Sequence, residues 1–154
     1  MFRRLNADGR EQPGGAMSEN VLLDTDILSM FFRGDPGVVR NTNKHLTDND
    51  KVYLSIITYH EILSELKHLG SKKQIDLFLE FCFLNEVLPM TMSSVTLSAS
   101  LYGELRKMGT PLDDMDLLIA GIAIENRMIL VTHNTKHFSR IPSLELRDWK
   151  TSES

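Results

Sequence analysis

Four residues of this chain carry oxygen donors where element boundaries are expected: Asp24, Glu61, Asp116 and Asn134. Asp24 directly follows the apolar run "VLL", and Glu61 comes just after "VYLSII". Asp116 stands near the start of an amphipathic stretch, and Asn134 lies two positions beyond "MILVT". Carboxylate oxygens, unlike thiolates or imidazoles, suit hard cations such as Mg2+ and Mn2+, which keep several waters and often bind substrate phosphates as well. Three acids arriving from separate elements would repel one another unless a cation joined them. A cluster of Asp24, Glu61 and Asp116 would therefore imply a metal.

Each residue also has a purely structural explanation. Thr58 and Glu61 have the spacing of a capping box, with Thr58 as cap, and Asp113 and Asp116 repeat it. Asp24 or Asp26 could cap the helix that follows, and acids in a first turn are favoured by the helix dipole in any case. What separates these readings is the arrangement of the elements that carry the residues.

From Val21 onward, short β-type runs alternate with segments of helical periodicity. "VLL" leads into a short helix through Phe32, and "VYLSII" into a helix from Tyr59 to Leu69. A helix near Lys72 to Phe83 precedes the strand "EVLPMT", and another from Ser94 to Met108 stops at Gly109. A long helix starts near Asp114, where Met115, Leu118, Ile119 and Ile122 share one face. The apolar strand "MILVT" follows it, and "LELRDW" closes the series. Such alternation predicts a parallel α/β sheet, in which ligands bind beyond the carboxyl ends of the strands where strand order reverses.

The 154 residues suit one domain, with 42% apolar and 25% charged side chains. Residues 1–20 are poor in apolar side chains and are expected to be a flexible extension, with Met17 open as an alternative start; 21–150 form the domain and 151–154 a tail. A net charge of -4 argues against binding nucleic acid through a broad cationic face, but not against turning it over at an acidic site. Cys82 is the only cysteine, which excludes an internal disulfide or a multi-cysteine metal cage. No apolar run approaches the roughly 20 residues of a membrane span, so the expected location is cytoplasmic.

The ordered set "LLDTD", "SIITYHEIL" and "PLDDMDLLIAGIAIENRMILVTHNTKHFSRIPSLELRDW" resembles a PIN domain, specifically the VapC-type toxins of toxin–antitoxin pairs, across residues 21 to 149. The resemblance implies a three-layer α/β/α fold with a central parallel sheet, and Mg2+- or Mn2+-dependent endoribonuclease activity restrained by a VapB-type antitoxin. It also implies a homodimer. The family's three acids fall on Asp24, Glu61 and Asp116 as metal ligands, and its fourth position falls on Asn134. Two positions depart from the usual pattern: Asp26 stands where an Asn is common, and Asn134 where an Asp is common. Asp114 is a less secure match to an outer acid.

Among lesser candidates, Thr25 and Ser55 carry hydroxyls near strand ends. His133 and His137 flank Asn134, and His137, Lys136 and Arg140 are candidate phosphate contacts. His60 and His68 belong to a predicted helix and His45 to a polar loop. Two other readings compete. "DTD" is similar to the Asp-x-Asp of haloacid-dehalogenase-type phosphatases, but Ile27 and Leu28 replace the small residues expected next and Glu61 is left without a role. A PIN-like binding module without catalysis would use apolar surface such as "FLEFCF" or "ILSMFF".

Overall fold

The computed structural model describes residues 19–150; the expected N-terminal extension, all but its last two residues, and the expected tail lie outside the described residues. Five parallel strands form one sheet in the order β3-β2-β1-β4-β5. They are β1 (Val21–Leu23), β2 (Tyr53–Ser55), β3 (Glu86–Leu88), β4 (Ile129–Val131) and β5 (Leu146–Arg147). Glu19 and Asn20 precede β1 and are already tied to the sheet: Asn20 O accepts from Ile129 N at 3.2 Å, and the Glu19 carboxylate pairs with the Arg147 guanidinium.

Alternation along the strands produces the layers, because successive side chains leave opposite faces of a sheet. Val21, Leu23, Ile129 and Val131 pack on one side with Ile27, Leu28, Val38, Ile62, Phe78 and Trp149. Leu22 and Leu130 pack on the other with Leu117, Ile122, Phe138 and Ile141. Helices α1 (Thr25–Phe32), α2 (Pro36–Asp48), α3 (Ile56–Leu69) and α4 (Lys72–Leu84) contribute mainly to the first layer. Helices α5 (Met92–Lys107), α6 (Asp114–Glu125) and α7 (Thr135–Phe138) build the second. The predicted three-layer α/β/α architecture is the one observed. Among the described residues no helix is long and apolar enough to cross a membrane.

Two local expectations are corrected. The segment holding His45 is a helix, α2, and not a loop. Its start carries clear signals: Asp35 accepts from Val38 N at 3.1 Å, and Pro36 occupies the first turn. Its buried stripe is Gly37, Val38, Asn41 and Thr42, so half of the inward face is polar and the apolar period disappears from the sequence. Asn41 and Thr42 are accommodated because each bonds a carbonyl, Asn41 Nδ2 to Gly37 O and Trp149 O, and Thr42 Oγ1 to Val38 O.

The second correction concerns β2, which ends at Ser55, so the helix begins at Ile56 and not near Tyr59. Two β-branched residues, Ile56 and Ile57, open the helix and read as strand by propensity. Ser55 is the cap, accepting from Thr58 N at 3.0 Å. Thr58 is therefore inside the first turn, and Glu61 lies beyond it.

The apolar stretches "ILSMFF" and "FLEFCF" meet through their aromatic rings, while Phe32 and Leu79 stay partly open to solvent. Phe32 and Phe81 are 5.3 Å apart between ring centroids, Phe31 and Phe81 5.6 Å, and Phe32 and Phe78 5.9 Å. Phe83, in contrast, is 87% exposed.

Helices α5 and α6 approach unusually closely at Gly121, where a Cβ would stand 2.3 Å from Ser94 O. That neighbour is backbone and cannot rotate away. Gly121→Ala is expected to destabilise the domain by about 1–3 kcal/mol, the range for overpacking, despite Ala being the better helix former. Urea denaturation of the two proteins checks this.

Candidate active site

Strand order reverses between β1 and β4, so the crevice at their carboxyl ends is where the topology opens a site. Asp24 is the first residue after β1 and Thr132 the first after β4. Asp24 N donates to Val131 O at 2.9 Å, carrying the β1–β4 ladder one residue further. The Asp24 side chain caps α1, with Oδ1 accepting from Thr25 N at 2.9 Å, while Oδ2 accepts from the Thr132 hydroxyl at 2.8 Å. Thr132 Oγ1 in turn accepts from Asn134 N at 3.0 Å. One buried hydroxyl therefore ties the ends of both strands and the turn that holds Asn134.

Glu61 reaches the same region from α3. Thr25 Oγ1 donates to Glu61 Oε1 at 2.9 Å and lies 2.9 Å from Thr58 Oγ1. The capping-box expectation for Thr58 and Glu61 fails because the helix starts earlier, which frees the Glu61 carboxylate to turn towards Thr25. Asp116 stands in the first turn of α6, where Asp113 is the cap residue but makes no side-chain capping bond. Asp114 is exposed beside it.

Electrostatics connect the acids. Burial pushes the Asp24 carboxyl up to about 7, with Asp26 and Asp116 raising it further against the opposing hydrogen bonds from Thr132 and Thr25. Burial also raises Asp116, followed by the charges of Asp113 and Glu61, with His137 pulling the other way. Asp26 is raised by burial and is held down in part by its two backbone donors. These are Ile27 N, at 2.7 Å from Oδ1, and His133 N, at 3.1 Å from Oδ2. Asp26 thus clamps the β1 turn to the β4 turn, an engagement of both oxygens that leaves it poorly suited to the acid/base role of an Asp-x-Asp phosphatase.

The donor set is all oxygen, and both Asp24 oxygens retain a further lone pair. Among the described residues no three His, Cys, Asp or Glu side chains are grouped so as to hold an ion by themselves. Asp24, Glu61 and Asp116 therefore fit a hard cation that takes one or two carboxylates and keeps much of its water, the usual manner of Mg2+, and do not fit a closed protein cage.

Asn134 is only indirectly joined to the acids. Its Nδ2 is 2.9 Å from His137 Nδ1, and His137 acts on Asp116 through its charge. His133 Nδ1 is 2.8 Å from Asp148 Oδ2, and Arg140 Nη1 donates to Pro111 O at 2.9 Å, which fastens α7 to the segment before α6. Lys136 is exposed on α7. His45 is half-buried against Trp149, with 5.6 Å between ring centroids, while His60 and His68 are on the exposed side of α3; none of the three is among the groups bonded to the acids. The residues that sequence reasoning underrated are Thr132 and Thr58. Both are fully buried hydroxyls within three residues of a strand's end, and that position was the available signal.

The PIN-domain family profile matches residues 21–144. This chain belongs to the PIN-domain family. Ribonuclease VapC1 of Haemophilus influenzae (strain R2866) is 30% identical over 132 residues, covering 83% of this chain and 96% of that protein. The tRNA(fMet)-specific endonuclease VapC of Shigella flexneri is 27% identical over 129 residues, with the same coverage. Among solved structures, VapBC2 from Rickettsia felis bound to a promoter DNA fragment superposes with a TM-score of 0.74 at 29% identity, over 84% of this chain and 98% of the matched one. The similarity spans nearly the whole length of these VapC proteins.

The Asp24 shift sets a pH dependence for this PIN domain. An acid whose folded pKa, about 7, exceeds its ordinary 3.8 holds its proton more tightly in the fold. Stability is then fully present below about pH 4 and is lost as pH rises through about 7. In EDTA, stability is expected to fall by about 2–4 kcal/mol over that window. Asp24→Asn should remove most of the decline and melt at a higher temperature than the parent at pH 8. Calorimetry across pH 4 to 8 on both proteins measures it.

Proposed function

We propose that this PIN domain is a divalent-metal-dependent endoribonuclease, the toxin of a VapBC-type pair, acting in the cytoplasm. The observation that supports the reading is electrostatic: beyond the carboxyl ends of β1 and β4, where strand order reverses, the charge of Asp116 raises the buried Asp24 and the charge of Glu61 raises Asp116. The VapC ribonucleases among its relatives support RNA as the substrate. Asp24, Asp116 and Glu61 are the residues that would hold Mg2+ or Mn2+, with Asn134 at the margin.

A bound ion supplies acidified water and charge stabilisation at the phosphate. The protein's own contribution is placement. Thr132 and the N-terminus of α1 fix the Asp24 carboxylate, Thr25 fixes Glu61, and the first turn of α6 delivers Asp116. No side-chain nucleophile is required. His137 on α7 acts on Asp116 through its charge, and the exposed Lys136 beside it in sequence is available to flanking phosphates of the polyanion.

The partners proposed are a VapB-type antitoxin and a second copy of the chain. The Rickettsia felis neighbour is a VapBC assembly, and the acidic crevice suits an inhibitory segment that inserts a basic side chain. Such a segment would offset the same carboxylate repulsion that a metal relieves.

The decisive experiment is cleavage of structured RNAs, tRNA(fMet) included, by antitoxin-free protein in Mg2+, Mn2+ or EDTA. Discrete fragments are expected with either metal and none in EDTA. Asp24→Asn and Asp116→Asn should each lose more than the ~10–100-fold typical of an outer-shell change while retaining a cooperative melt. Equal cleavage by both variants would remove these residues from the site, metal binding without cleavage would point to an RNA target outside the pool, and the absence of both would favour a binding module.

A further inference from the structure

Behind the Thr25 hydroxyl that holds Glu61 lie two further hydroxyls, Ser55 and Thr58, to which the proposed reaction gives no role. Ser55 Oγ donates to Thr58 Oγ1 at 3.3 Å, Thr58 Oγ1 lies 2.9 Å from Thr25 Oγ1, and Thr25 Oγ1 donates to Glu61 Oε1 at 2.9 Å. Ser55 and Thr58 are fully buried, with relative exposure of 0% each. Solvent therefore has no access to replace either group.

Proton counting fixes the direction of this row. An ionised carboxylate only accepts, and each hydroxyl has a single proton to give. The Thr25 proton goes to Glu61, so Thr25 cannot also donate to Thr58. The contact between the two threonines must then run from Thr58 to Thr25. Ser55 supplies the proton that satisfies Thr58, and its own oxygen accepts from Thr58 N at 3.0 Å. Every donor has one destination, and all of them lead towards Glu61. In a low-dielectric interior such a chain strengthens along its length.

We propose that Thr58 is a positioning residue for Glu61: its hydroxyl donates to Thr25 and so obliges Thr25 to present its own proton to the Glu61 carboxylate. Without Thr58 the Thr25 hydroxyl loses the donor that locks its rotor, and Glu61 loses its fixed partner. The spacing serves the same end. Ser55 ends β2, Thr58 is one helical turn on, and Glu61 is three residues further along α3, so residues on one helix face form the row with Thr25 of α1 bridging its end. The inference rests on the nuclease reading, because Glu61 matters here as a holder of the ion.

The test compares the parent with Thr58→Val, Thr58→Ser, Glu61→Gln and the Thr58→Val/Glu61→Gln double variant. Three quantities are read: Mn2+ affinity by titration calorimetry, kcat and KM on a cleaved RNA, and melting temperature. Thr58→Val keeps the shape but removes the hydroxyl, and it is expected to weaken Mn2+ binding and lower kcat by about tenfold, the scale of an outer-shell loss. KM for RNA should move much less, since the row does not face the polyanion. Thr58→Ser retains a donor and should stay within about twofold of the parent. In the Glu61→Gln background the same Val change should add little, since residues acting through one group are non-additive.

A Thr58→Val protein that binds Mn2+ and turns over as the parent does would overturn the proposal, as would a full additional loss in the Glu61→Gln background. Both results would make Thr58 a packing residue only. Should the Val variant not fold, Thr58→Ala removes the same hydroxyl and is judged by the same outcomes. A parent that neither binds Mn2+ nor cuts RNA would instead overturn the nuclease reading, a result separable from failure of Thr58 alone.

Discussion

The hydrogen bond from Thr132 to Asp24 is the constraint on which the rest of the site depends. It crosses the β1–β4 boundary, where strand order reverses, and it joins the first residues after the two strands. Because Asp24 Oδ1 is already committed to Thr25 N, the second bond at Oδ2 leaves the carboxylate one orientation. A buried carboxylate without such donors would carry the full cost of losing water. The hydroxyl lowers that cost while leaving a lone pair on each oxygen. Asp26 repeats the device one turn further out, spanning from Ile27 N to His133 N. Two acids of "DTD" thus lace the same two loops together, one inside and one at the rim.

Concentrating Asp24, Asp26, Asp113, Glu61 and Asp116 at one end of the sheet opposes folding, and the raised carboxyls at Asp24 and Asp116 register that opposition. The cost is met on the opposite faces by two continuous apolar layers and by the close α5–α6 contact at Gly121. The interior of the fold is therefore conservative while its carboxyl edge holds the strain. Anything cationic that binds N and not the unfolded chain stabilises it by mass action. A metal ion and a basic side chain of a partner would act through the same electrostatic term, so under the proposed function the two would compete for one place.

The parallel α/β class, the order of the strands' flanking helices and the candidate acids were legible because each rests on a strong local signal. Leu22 and Leu130 alternate with neighbours that face the other way, and "MILVT" is apolar on both sides, as a central parallel strand must be. Helix α2 was not legible, since Asn41 and Thr42 occupy inward positions and are paid for by backbone carbonyls that only the fold brings near. The start of α3 was misread for a related reason: Ile56 and Ile57 have strand propensity, and the Ser55 cap outweighs it. That error assigned Thr58 to capping. Of the site, the acids and the Thr25 and Ser55 hydroxyls were visible in the sequence, while Thr132 and Thr58 were passed over, because closeness to a strand's end was the sole signal they offered.

The use of hydroxyls and not cations to hold Asp24 and Glu61 fits the metal-holding role proposed for them. A lysine or arginine beside Asp24 would satisfy its charge outright and compete with any divalent ion for it. A threonine donates a single hydrogen bond, fixes direction, and leaves the negative charge largely in place. Thr132 treats Asp24 this way and Thr25 treats Glu61 this way. On α7, His137 is in contact with Asn134 and acts on Asp116 only through its charge. Acids held by hydroxyls stay available to a hard cation, whose binding would draw them into the ionised form and leave a phosphate backbone to be held outside them.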